Sequence, residues 1–240
     1  MNSNDKIRIE KYLSEQGIAS RREAQALIKE GYILLNGKKV TETGIKINPD
    51  QDQITLSEEA SKKMKSKTTV MVYKPRGVIC GKDDDGEKTI FDSFPQYKEL
   101  NTVGRLDKDS EGLLLLSNDG MVTKAITDQS HPSEKEYLVS VREDVLPWMI
   151  KKFISGIKLE GGYKTLPAKS EKLSKKSYSI TLREGKKHQI RRMANAVGLT
   201  ITNLKRVRIN DLKIGNMKPG QARRLNPEQI KSLRKLGATS

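Results

Sequence analysis

Sulfur, imidazole and aromatic rings are scarce in this chain. Cys80 is the only cysteine, which excludes an intramolecular disulfide and a thiolate zinc site and points to a reducing, cytoplasmic compartment. Two histidines, His131 and His188, are too few for a typical histidine metal centre. With three Phe and one Trp, a core must be packed mainly from Leu, Ile and Val. The longest purely aliphatic run is the four leucines 113–116, far short of the roughly 20 residues that span a bilayer. Residues 1–5 also lack the basic-then-apolar build of a signal peptide, so a membrane-embedded and a secreted protein are both disfavoured.

Positive charge is what the chain has in excess, +16 over 240 residues. It is unevenly placed. Residues 1–60 carry 9 Lys+Arg against 10 Asp+Glu, residues 61–130 carry 12 against 11, and residues 131–240 carry 25 against 9. Acids are depleted in the last segment as well as bases enriched, which favours a polyanion-binding face over a merely solubilising one. With no basic amphipathic anchor visible, nucleic acid is the expected partner and a membrane is not.

Residues 7–56 read as a compact unit. Ile9, Tyr12 and Leu13 form a helical stripe that ends near Gly17. Ser20 and Glu23 form a capping box for a second helix, whose stripe is Ala24, Leu27 and Ile28 and which Gly31 stops. Asn36-Gly37 between short apolar segments predicts a hairpin, and residues 53–56 a further strand. Arg21 and Arg22 occupy the first turn of the second helix, where the macrodipole prefers acids. Either the cap outweighs that penalty, or the two guanidiniums and the free amides clamp a phosphate. Residues 57–68 are polar and aperiodic and read as a linker, giving an expected division into 1–60, 61–68 and 69–240.

From Thr69 short strands and helices alternate. Residues 70–73 read as a strand ending at Lys74-Pro75-Arg76-Gly77, and the consecutive acids Asp83-Asp84-Asp85 as a solvated turn without calcium-loop spacing. Gly104-Arg105-Leu106-Asp107 leads through Lys108-Asp109-Ser110-Glu111-Gly112 into the leucine run, so Asp107 sits on a connection between two strands. Catalytic groups are often held this way, but an aspartate there can equally just organise a turn. Lys135, Tyr137, Val139 and Val141 share one face of a strand, where Tyr137 could be a plain core aromatic. Residues 184–194 open a helix whose packed stripe is Ile190, Met193, Ala194 and Val197, with Arg191 at the core boundary in need of an anionic partner. Residues 207–214 alternate as a final strand, and Asn226-Pro227 starts a last helix.

Two resemblances follow. Helix, helix and hairpin with Ser20-Arg21-Arg22-Glu23-Ala24 and Asn36-Gly37-Lys38 resemble the alpha-L RNA-binding module, over roughly the first 60 residues. Gly104-Arg105-Leu106-Asp107, residues 112–116, Lys135-Glu136-Tyr137 and His188-Gln189-Ile190-Arg191-Arg192-Met193 resemble the RsuA/RluB/RluE/RluF family of bacterial ribosomal RNA pseudouridine synthases. Nearly the whole chain is covered; residues 218–225 depart from the family's Gly-Glu-Trp-Arg-like block.

The resemblance implies an α+β protein: a small RNA-binding module and a catalytic domain on a mixed, largely antiparallel sheet. It implies that Asp107 starts the isomerisation of uridine, by nucleophilic attack or by stabilising a cleaved intermediate. Arg191 would pair with Asp107, Tyr137 would stack on the extruded uracil, and Arg105 would hold the nucleotide out of its helix. RNA contacts are expected from Ser20, Arg21, Arg22, Asn36, Lys38, Lys186, Lys187, His188 and Arg192. The product keeps every atom of the substrate, so no cofactor and no metal are implied. The expected partner is ribosomal RNA or a ribosomal assembly particle, with no DNA and no membrane, for a monomer acting on the large subunit. The alternatives are a small-subunit enzyme, a non-catalytic assembly factor of the same fold and a DNA-binding regulator.

Overall fold

Caps and turns set where each N-terminal element begins. The computed structural model describes residues 6–81, 86–128 and 133–238. Strand β1 (Ile7–Arg8) runs into helix α1 (Ile9–Glu15), followed by α2 (Arg21–Lys29), β2 (Ile33–Leu35), β3 (Lys38–Val40), β4 (Lys46–Ile47) and β5 (Ile54–Leu56). The Ser20 hydroxyl accepts the Glu23 amide while the Glu23 carboxylate accepts the Ser20 amide, so the expected capping box forms. Asn36 and Gly37 both have positive φ, 51° and 77°, as a two-residue hairpin turn between β2 and β3 requires. Ile9, Leu13, Ala24, Leu27 and Ile28 are buried together with Ile33, Val40 and Ile47 in one core.

The stretch read as a linker departs from expectation. Residues 58–65 form α3 (Glu58–Lys65), capped by the Ser57 hydroxyl, which accepts the Ala60 amide. Ala60 is buried in the N-terminal core and Met64 packs against it. Two apolar residues one turn apart suffice to seat a short helix but are too few to show as periodicity. The acidic turn expected at Asp83-Asp84-Asp85 lies outside the described residues.

The rest of the chain gives β6 (Thr69–Lys74), α4 (Ile90–Ser93), β7 (Asn101–Val103), β8 (Glu111–Ser117), α5 (Gly120–Thr127), β9 (Lys135–Val141) and α6 (Pro147–Ser155). Then follow β10 (Lys169–Ser174), β11 (Ser177–Leu182), α7 (Gln189–Asn195), β12 (Ile201–Ile209), β13 (Leu212–Lys213), β14 (Ala222–Arg224) and α8 (Pro227–Ala238). A nine-stranded sheet has the order β10-β11-β9-β12-β8-β6-β14, with β7 beside β8 and β13 beside β12. β9 is antiparallel to both of its neighbours, and β12 runs parallel to β8, so the sheet is mixed and mostly antiparallel. The final strand starts earlier than the alternation suggested, at Ile201, and breaks at Asn210, whose φ of 46° turns the chain into β13.

The chain forms two compact units, one of residues 1–69, 117–126 and 225–240, the other of residues 70–116 and 127–224. Polar contacts explain why the first unit recruits distant segments. The Glu23 carboxylate accepts the Gly120 amide and the Lys67 ammonium, and Asp119 accepts the Arg234 guanidinium at 2.6 Å. Burial alone would raise the Glu23 pKa; Lys67 and the Ser20 and Gly120 amides outweigh that and hold it below the usual carboxylate range. No helix among the described residues is long and apolar enough to cross a membrane.

In the second unit the leucines of β8 are fully buried, and Gly112 at its start faces Arg206 of β12 in the parallel register. Gly112 has φ +104°, and a Cβ there would lie 2.2 Å from the Arg206 carbonyl oxygen. That neighbour is backbone in a central strand and cannot yield cheaply. Gly112→Ala is expected to destabilise the fold by more than about 3 kcal/mol, combining strain at positive φ with a forced separation of two strands. Urea denaturation would show this as a lower midpoint with an unchanged slope.

Candidate active site

Asp107 lies on the loop joining β7 to β8, residues 104–110, and three cationic side chains from three elements hold that loop. Lys74, the last residue of β6, has no exposed surface, and its ammonium donates to the carbonyls of Pro75, Lys108 and Ser110. Arg191, from α7, donates through Nη2 to the Asp109 carbonyl at 3.2 Å and the Ser110 hydroxyl at 3.4 Å. Arg206, from β12, is 2% exposed; its Nε donates to the Leu113 carbonyl at 2.7 Å and its Nη1 to the Arg105 carbonyl at 3.3 Å. From below, the Leu106 amide donates to the buried Cys80 Sγ. The loop's backbone is thus pinned at residues 105, 106, 108, 109 and 110, while the Asp107 side chain keeps 39% of its surface exposed. A rigid backbone that presents a free carboxylate is what nucleophilic or electrostatic catalysis needs.

Arg191 therefore reaches the Asp107 loop, but it does not form the expected ion pair. Its Nη2 donates instead to a carbonyl and a hydroxyl two and three residues further on. The side chain beside the Asp107 carboxylate is that of His188, whose Nε2 lies 3.6 Å from Oδ1. His188 stands at the N-terminus of α7 with φ 51°, and the five residues before Gln189 are not helical. The helix starts later than the sequence suggests because the Gln189 side chain turns back to accept the Lys186 amide.

Tyr137, on β9, is half-buried and packs against two apolar clusters, one holding Val139, Val141 and Ile180 and the other holding Leu106, Leu114 and Leu116. Its strand partners are Ile180 and Arg206, so it sits next to the residue that straps Arg105. Arg105 itself is exposed. Asp107, Tyr137, Arg191, Arg105 and His188 thus gather around one loop and one strand of the second unit.

The expected RNA contacts are more dispersed. Arg21, Arg22 and Lys38 are exposed, whereas the Ser20 hydroxyl is spent on its helix cap. The Asn36 side chain is spent on its turn, donating to Asp52 and accepting the Gln53 amide. Lys186 lies over the Tyr163 ring, Lys187 is exposed, and Arg192 donates to the Glu160 carbonyl at 2.7 Å.

Sequence reading missed Lys74 and Arg206 as supports of the loop. The available signal was a long cation at an inward position: Lys74 closes a run of buried strand residues, and Arg206 follows buried Leu204 at the period of two. It missed Lys135 as well. Burial and the nearby Arg206 charge push the Lys135 ammonium down to about 8. Between about pH 8 and the ordinary lysine value of 10.5 the unfolded chain then binds more protons at this residue than the folded one. Stability from Lys135 should rise with pH across that window. Lys135→Met is expected to flatten the rise, read as denaturation midpoints from pH 7.5 to 10.5.

Comparisons with known proteins identify the family. The model for RNA pseudouridylate synthase matches residues 68–196, and that for the S4 domain matches residues 7–53. The ribosomal large subunit pseudouridine synthase B of Bacillus subtilis (strain 168) is 39% identical over 239 residues, covering 95% of this chain and 96% of that protein. The dual-specificity RNA pseudouridine synthase RluF of Escherichia coli (strain K12) is 33% identical over 232 residues, covering 96% of this chain and 79% of that protein. A crystal structure of pseudouridylate synthase matches with a TM-score of 0.68 at 30% identity, covering 95% of this chain and 99% of that one. Matched by both models and by relatives along nearly its whole length, this protein is a member of the RNA pseudouridylate synthase family with an S4 domain at its N-terminal end.

Proposed function

We propose that this protein converts one defined uridine of large-subunit ribosomal RNA to pseudouridine, with Asp107 as the catalytic group. The observation that carries the proposal is the Asp107 loop: its backbone is fixed by Lys74, Arg191 and Arg206 while its carboxylate stays accessible. The reaction cleaves the bond from ribose C1′ to uracil N1, turns the base and rejoins C1′ to C5. The C5 proton leaves and N1 gains one, so the atoms balance without a co-reactant. Asp107 acts at C1′ or stabilises the cleaved sugar, and the Tyr137 ring holds the detached base by its face. Arg105, exposed at the start of the loop, takes the place vacated by the flipped nucleotide. Arg191 keeps positive charge beside the site, and His188 stands next to the Asp107 carboxylate.

Extruding a base costs a few kcal/mol, which phosphate contacts offset. In this reading Arg21, Arg22 and Lys38 of the N-terminal module and Lys186, Lys187 and Arg192 beside α7 provide them. Ser20 and Asn36 shape the module's contact surface through their backbone turns. The large-subunit assignment is supported by the name of the Bacillus relative. The protein is read as a cytoplasmic monomer that acts on ribosomal RNA, free or in an assembling particle. Mapping pseudouridines in ribosomal RNA from cells with and without the protein tests all of this. Loss of a single large-subunit site is expected; an unchanged map would overturn the proposal.

A further inference from the structure

The only tryptophan of the chain is not in a core. Trp148, on α6, is 48% exposed, while Met149, Ile150 and Phe153 of the same helix are buried. Trp148, Lys151 and Lys152 stand at i, i+3 and i+4, so they line one outward stripe. The turn between β10 and β11 lies against the start of this helix: the Val145 amide donates to the Lys175 carbonyl at 2.6 Å, and the Val141 amide to the Lys176 carbonyl at 2.9 Å. Lys175 and Lys176 are exposed there. An unburied indole thus shares a helix stripe with two exposed lysines, and the turn against the helix start carries two more, with Asp144 and Glu171 the exposed acids nearest in sequence.

An indole left in water exposes a large apolar area, and cations crowded around it repel each other. Both costs are relieved by one kind of ligand, a polyanion that carries flat aromatic rings. We infer that this face binds an unpaired stretch of the RNA substrate, one base stacked on Trp148 and its phosphates paired with Lys151, Lys152, Lys175 and Lys176. Stacking on an exposed aromatic tolerates any base, and the lysines follow the backbone. β9 and β12 stand between β11 and β8, the strand that follows the Asp107 loop, so at roughly 4.8 Å per strand the β10–β11 turn is offset sideways from that loop by about 14 Å. The face therefore grips RNA away from the target nucleotide and extends the footprint beyond the catalytic site. The inference rests on RNA being the substrate but not on Asp107 being the catalyst.

The position of this single tryptophan supplies the test. The full-length protein is titrated with a fluorescently labelled 12-nucleotide oligoriboadenylate, which has no uridine to offer the catalytic site. Expected are saturable quenching of Trp148 emission and an affinity that falls steeply with salt. The Lys151→Glu/Lys152→Glu double variant should lose affinity by about tenfold or more, and Trp148→Ala by about tenfold, read by anisotropy of the label. Asp107→Asn should leave the quench in place. Binding of the oligonucleotide with unchanged tryptophan emission would overturn the inference. So would a tryptophan that naked RNA leaves unaltered but ribosomal particles shield, which would make this a protein-docking face. The readout needs no turnover, so a quench without isomerisation strikes only at the proposed function, and isomerisation without a quench only at this surface.

Discussion

Asp107→Asn is expected to abolish pseudouridine formation, lowering the rate by at least about 10⁴-fold, the scale on which removal of a reacting group acts. The substitution keeps the size of the side chain and removes the carboxylate charge that must meet C1′. The hydrogen bonds that hold the loop do not use that carboxylate: they run from Lys74, Arg191 and Arg206 to backbone carbonyls and the Ser110 hydroxyl, and its charge is one of several that favour the Lys74 ammonium against its burial. The Asp107 side chain is also 39% exposed, so its replacement leaves no buried donor unpaired. Stability should shift by no more than about 0.5 kcal/mol, as for a surface change, and RNA affinity by no more than about twofold. Single-turnover assays on ribosomal RNA, paired with filter binding, separate chemistry from binding. A variant that retained more than a hundredth of the rate would remove Asp107 from the mechanism. If cells carrying Asp107→Asn lost pseudouridine yet assembled ribosomes normally, the chemistry rather than a scaffold role would be the residue's contribution.

The local rules of the sequence reached as far as local physics does. The Ser20–Glu23 box, the Asn36-Gly37 turn and the buried leucine strand each depend on residues within a few positions of one another, and each forms where it was read. The α3 helix was missed because its seating comes from a core assembled by residues far away in the chain. The site divides in the same way. The residues with a motif, Asp107, Tyr137, Arg191, Arg105 and His188, were legible through resemblance, and the structure brings them around one loop. How they engage was not legible. Arg191 was expected to meet a carboxylate, but the late start of α7 directs it to Asp109 and Ser110 and leaves His188 beside Asp107. Lys74 and Arg206 were invisible for another reason. Apart from Pro75, next to Lys74 in the chain, their partners are backbone carbonyls 34 or more residues away, and a carbonyl carries no signature in the sequence.

Arg206 carries the second large effect, and it should separate stability from catalysis. Its guanidinium is buried, two of its nitrogens are bonded to the carbonyls of Leu113 and Arg105, and its Nη2 has no partner among the described residues. A charge buried with one donor unpaired is costly, so removing it returns part of what its two hydrogen bonds contribute. Arg206→Met fills most of the volume and sheds the charge, and is expected to change stability by less than about 2 kcal/mol. Arg206→Lys keeps the charge but cannot reach both carbonyls from one nitrogen, and should cost more, about 2–4 kcal/mol. The conservative change is thus the worse one for folding. For catalysis both variants release the Arg105 carbonyl two residues before Asp107, beside the strand that carries Tyr137. A misplacement of about 1 Å there costs on the order of 10²-fold in kcat, with KM changed less because only the Arg105 contact among those to the RNA is disturbed. Melting curves and steady-state kinetics, run well below both transitions, give the two orderings independently. If kcat instead followed stability, with Met near wild type and only Lys impaired, Arg206 would be a packing residue and the strap on the Asp107 loop would have no part in positioning the carboxylate.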